Sequence, residues 1–80
     1  MKVRVLLFAG LASRVGRRDL ELDDVESGCS LGTLLERLAE QHPVLGDYPY
    51  QTAVNGEYSP RDRSLEDGDE LALIPPVSGG

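Results

Sequence analysis

The stretch LEDGDELALIPPVSGG, residues 65–80, decides how the rest of the chain is read. Asp67-Gly68 marks a turn, because glycine enters positive φ without steric cost. Leu71 and Leu73 or Ile74 then carry a short apolar run of strand character. Pro75 and Pro76 stop it, since proline fixes φ and has no N–H to donate to a ladder. The last four residues, Val77, Ser78, Gly79 and Gly80, have little to bury, which divides the chain into a folded domain, 1–76, and a flexible tail, 77–80.

Moving toward the N-terminus, TAVNGEYS (52–59) places Asn55-Gly56 between apolar residues. That pair is a strong hairpin signal because both turn positions need positive φ. In SLGTLLERLAEQHP (30–43), Leu31, Leu34, Leu35 and Leu38 recur at the spacing that lines one helix face. Ser30 is placed to cap that helix, and Pro43 ends it. RRDLELD (17–23) alternates Leu20 and Leu22 with charged neighbours, the period of a half-buried strand. VRVLLFAG (3–10) reads as another strand, and LASRVG (11–16) as a turn-like or helical link.

The order is strand, strand, helix, strand, short strand or turn, strand. One helix must cover the apolar face of a mixed sheet, because nothing else in the chain can. The expected class is α+β, a β-grasp or ubiquitin-like roll with the last strand beside the first in the middle of the sheet.

Bulk properties narrow the function. Eight basic and fourteen acidic residues give a formal charge of −6, which repels phosphate backbones and anionic lipid. No nucleic acid and no membrane are expected, and net charge alone favours a partner with a basic surface. One cysteine excludes an internal disulfide, and the apolar run near the N-terminus is too short for a secretory signal. A soluble cytoplasmic protein is expected. One Cys and one His, Cys29 and His42, fall at opposite ends of the same predicted helix, so neither a metal site nor a Cys–His pair can be built from them. EDGDE (66–70) lacks the spacing of a calcium loop and reads as a solvated turn capped by Asp67.

With no catalytic constellation among the side chains, the terminal carboxylate becomes the candidate reactive group. ATP can convert it to an acyl-adenylate that a sulfur or amine nucleophile attacks. Gly79 and Gly80 would thread a narrow channel, and the two prolines would limit the entropy lost on insertion.

AVNGEY together with LEDGDELALIPPVSGG closely resembles the MoaD family, the small sulfur-carrier subunits of molybdopterin synthase. VLLFAGL and LLERLAEQHP resemble that family's strand and helix segments, so the likeness spans nearly the whole chain. The resemblance implies that an E1-like adenylating enzyme of the MoeB type, using ATP and magnesium, activates Gly80. A sulfur donor such as a cysteine desulfurase or rhodanese then yields a thiocarboxylate. The carrier would dock on a large subunit of the MoaE type, in a heterotetramer, and pass sulfur to cyclic pyranopterin monophosphate. The chain itself would hold no cofactor and no metal. Val77, Ser78 and Gly79 would thread the partner, and Phe8, Tyr58, Ile74, Pro75 and Pro76 would touch it. Many members carry an Arg-Glu pair after Phe-Ala, where this chain has Ala12 and Ser13, with Arg14 next. Rival readings are a sulfur carrier for another pathway such as thiamine thiazole synthesis, a modifier that forms isopeptide bonds, and an interaction module with an inert tail.

Overall fold

The computed structural model describes residues 1–47 and 49–76. Five strands, β1 (Val3–Leu7), β2 (Asp19–Leu22), β3 (Gln51–Val54), β4 (Glu57–Tyr58) and β5 (Glu70–Ile74), form one sheet in the order β2-β1-β5-β3-β4. β1 and β5 run parallel, and the other neighbours are antiparallel. The last strand lies beside the first in the centre, as the sequence implies. The mixed β-grasp sheet under one main helix is the observed architecture.

That helix, α2 (Leu31–Gln41), buries Leu31, Leu34, Leu35 and Leu38 against Val3, Val5 and Leu7 of β1 and Leu71 and Leu73 of β5, within one apolar core. Its N-terminus is capped from two sides. The Leu31 and Gly32 N–H groups donate to the carbonyls of Arg63 and Arg61, Thr33 N–H to Ser30 Oγ, and Leu34 N–H to the Ser30 carbonyl. The Leu34 bond is the helix's own first one, whereas Leu31, Gly32 and Thr33 find no partner inside it, so the 59–64 loop works as a cap alongside Ser30. It also explains Gly32, where an added Cβ would stand 3.2 Å from the Arg61 carbonyl oxygen.

The first strand is shorter than the sequence suggests. It ends at Leu7, and the chain turns through Phe8 to Leu11, with Leu11 N–H donating to the Phe8 carbonyl. Ala9 occupies the strained corner at φ 51°, ψ −131°, a region that suits glycine. A six-residue helix, α1 (Gly10–Val15), comes next and buries Leu11. Gly16 closes it at φ 86°.

EDGDE departs further from its reading as a solvated turn. Asp69 is only 8% exposed. Its carboxylate accepts from Asn55 Nδ2 at 2.9 Å and Glu66 N–H at 2.7 Å. Asn55 in turn accepts from Glu70 N–H at 3.0 Å and donates its own N–H to the Glu70 carbonyl at 2.8 Å. The β3–β4 turn and the entry to β5 are thereby locked together. Asp67 accepts from Lys2 N–H at 2.6 Å, tying the same turn to the start of β1. Among the described residues no helix is long and apolar enough to cross a membrane.

Candidate functional site

Side chains alternate across a strand, so register assigns each residue to a face. Val3, Val5, Leu7, Leu20, Leu22, Val54, Leu71 and Leu73 face α2 and are buried. On the opposite face, the pairings Leu6–Ala72, Ala72–Ala53 and Ala53–Tyr58 form one continuous row across four strands. Nearer the end of β5, Ile74 pairs with Gln51. Phe8 lies just past β1, its N–H donating to the Leu73 carbonyl at 3.3 Å. Below the row, Arg4 stands between Glu21 and Glu70 and donates to Asp19 at 2.9 Å. Hydrogen bonding and charge from Asp19 raise the already high pKa of Arg4. An apolar band bordered by a charged one thus covers the face of the sheet turned away from the helix.

Phe8 is 46% exposed and Tyr58 68% exposed, the two large apolar side chains left open among the described residues. Ile74 is half-buried on the same outer face. None of the three belongs to the core, so ordinary interior packing does not account for them. Open aromatic side chains beside a half-buried aliphatic one make this face a candidate contact surface. Leu6 and Ala72 complete the patch although sequence reasoning does not single them out. The alternation in VRVLL is the available signal, since Val3, Val5 and Leu7 facing inward put Leu6 outward.

Pro75 and Pro76 come directly after β5 and line a hollow of about 260 Å³ with Gly10, Leu11, Arg14 and Pro49. The tail base is therefore seated between α1 and the segment before β3. Val77, Ser78, Gly79 and Gly80 lie outside the described residues. A second, open hollow of about 780 Å³ lies between Leu45 and Tyr58 and includes Tyr50, whose phenol pKa is pushed up by burial. Cys29 is half-buried, its thiol donating to the Ser30 carbonyl at 3.4 Å. His42 caps the C-terminus of α2 through its backbone N–H. Among the described residues no group of three or more His, Cys, Asp or Glu could hold a metal ion.

This geometry leaves an exposed patch and a strand that leads the chain out beside it. The ThiS family model matches residues 5–80. The chain belongs to the ThiS family. Among its relatives is the molybdopterin synthase sulfur carrier subunit of Mycobacterium tuberculosis, 37% identical over all of this chain and 99% of that protein. Small archaeal modifier protein 1 of Haloferax volcanii is 39% identical over 92% of this chain and 95% of its own. Its crystal structure superposes with a TM-score of 0.87 over the full length of both chains, at 33% identity. The fold also matches, at TM-score 0.71 and 23% identity over both full chains, a Helicobacter pylori protein seen as a complex of subunits 1 and 2 of molybdopterin-converting factor. In this ThiS-family chain the matched region takes in the outer-face patch, the tail base and residues 77–80 alike.

Proposed function

We propose that the protein is the sulfur carrier subunit of molybdopterin synthase, working in the cytoplasm with Gly80 as its reactive residue. The observation that carries this reading is the full-length match to a carrier subunit in a fold whose tail-bearing strand is central. Because β5 is hydrogen-bonded on both sides, residues 75 and 76 leave from a fixed point beside Phe8 and Ile74. Four further residues reach at most about 14 Å beyond it, long enough to enter a partner's active site while the body of the domain stays outside.

In the proposed cycle the Gly80 carboxylate attacks the α-phosphate of ATP on an E1-like enzyme, with magnesium, and pyrophosphate leaves. A persulfide formed by a desulfurase or rhodanese displaces AMP to give an acyl disulfide, and a thiol then cleaves its S–S bond, forming a disulfide with the donor sulfur and releasing the thiocarboxylate. The carrier then docks on the large synthase subunit and gives its sulfur to cyclic pyranopterin monophosphate. Phe8, Tyr58 and Ile74 form the contact surface in both encounters. Pro75 and Pro76 set the direction of the tail, and Val77, Ser78 and Gly79 thread the channel. The chemistry is borne by the partners and by one carboxylate.

The likeness to small archaeal modifier protein 1 supports a second reading, a modifier joined to lysines through the same adenylate. The two part after activation. Removal of Gly80 is expected to leave the melting temperature unchanged and to abolish sulfur transfer in a reconstituted synthase. Wild-type turnover by the truncated chain would contradict the proposal, and conjugates visible on a denaturing gel would favour the modifier.

A further inference from the structure

Charge is distributed unevenly between the two ends of the sheet. At the end where β1 and β5 begin stand Asp23, Asp24, Glu66, Asp67 and Glu70, with Lys2 ion-paired to Asp23 and Arg37 to Asp24. At the other end, where the tail leaves, the α1–β2 segment carries Arg14, Arg17 and Arg18. Four rises of about 3.3 Å along β5 set the ends about 13 Å apart, beyond the roughly 8 Å over which physiological salt screens exposed charges. A partner approaching the tail therefore meets local charge and not the net −6.

The arginine-bearing segment lies beside the tail base and the end of β1. Arg14 lines one hollow together with Pro75 and Pro76. The Arg18 carbonyl accepts from Leu7 N–H at 2.8 Å, and its residue lines a depression of about 500 Å³ with Phe8, Ala9 and Ser13. Arg17 and Arg18 are exposed, and among the described residues neither is ion-paired. Asp19, the acid next in sequence, is already engaged by Arg4. Net cationic character remains at this edge.

We infer that Arg17 and Arg18 form a docking edge for clustered carboxylates at the mouth of the activating enzyme's tail channel, steering the carrier in tail first. The inference rests on the proposed function, since it assumes that such an enzyme receives the tail, and it refines what net charge alone implies. The acidic end is repelled by the same carboxylates, so the charge asymmetry orients the molecule as well as attracting it. Charges at the edge of an interface act mainly on association rate and its salt dependence.

The test is the initial rate of thiocarboxylation by the activating enzyme at low carrier concentration, read by intact mass at low and high salt. Arg17→Glu with Arg18→Glu is expected to slow wild-type modification about tenfold or more at low salt, with the deficit closing as salt rises. Arg17→Gln with Arg18→Gln is expected to fall between them, and melting curves check that both variants fold. If the wild type is modified and the reversed variant keeps pace at low salt, the docking edge is refuted. If the wild type itself is not modified, the carrier reading fails, and the inference falls with it.

Discussion

Ala9 is the position where this chain departs most from comfortable backbone geometry. Its φ of 51° and ψ of −131° belong to a turn corner that favours glycine, and a non-glycine residue there costs on the order of 1–3 kcal/mol. Ala9→Gly is expected to recover about 1 kcal/mol, raising the thermal midpoint by roughly 4–8 °C; a lowered midpoint would mean that the alanine methyl stabilises the turn in Phe8–Leu11. Asp69 is the opposite case, a buried carboxylate whose two bonds join separate turns. Asp69→Ala leaves Glu66 N–H and the Asn55 amide without this acceptor, so a loss of about 1–3 kcal/mol is expected in urea unfolding. Asp24 tests a surface charge. The Arg37 guanidinium holds its carboxyl below the usual value. Its stabilisation is thus present above the unfolded pKa of about 3.9 and is lost as pH falls through the lowered native value. Asp24→Asn is expected to reduce the melting temperature slightly at neutral pH and to match wild type at a pH where the Asp24 carboxyl is protonated in the native and unfolded states alike.

The elements show where sequence is informative and where it is not. The α2 pattern is legible because four leucines at helical spacing have one packing solution, and Ser30 performs the capping its position implies. Leu34→Ala, at the centre of that face, is expected to cost about 2–5 kcal/mol in chemical denaturation, whereas a cost below about 1 kcal/mol would show that the core collapses around the gap. The Asn55-Gly56 turn is legible for the same kind of reason, and both residues have the required positive φ. The early end of β1 is not, since LLFAG has strand composition throughout and only the strained turn at Ala9 stops it. Nor is the capping of α2 by Arg61 and Arg63, because it depends on a loop some thirty residues away in sequence. Asp69 escapes the sequence reading for that reason too: within its own segment it looks like a solvated acid, and its partner Asn55 becomes visible only when β3 and β5 pair.

At the scale of the whole molecule, one face of the sheet packs on the helix and the other turns away from it. α2 seals the inner face, the Leu6–Ala72–Ala53–Tyr58 row crosses the outer one, half-buried at Leu6 and Ala72 and open at Tyr58, and the central strand delivers residue 76 at their shared edge. The division suits a small domain that offers its chain end to a partner. The central claim is that Gly80 carries sulfur. Its most direct test is the intact mass of the protein after incubation with its activating enzyme, ATP and a sulfur donor. Replacement of one oxygen by sulfur, localised to Gly80 by fragmentation, is the expected result. An unchanged mass, with the enzyme shown to be active on another carrier, would contradict it.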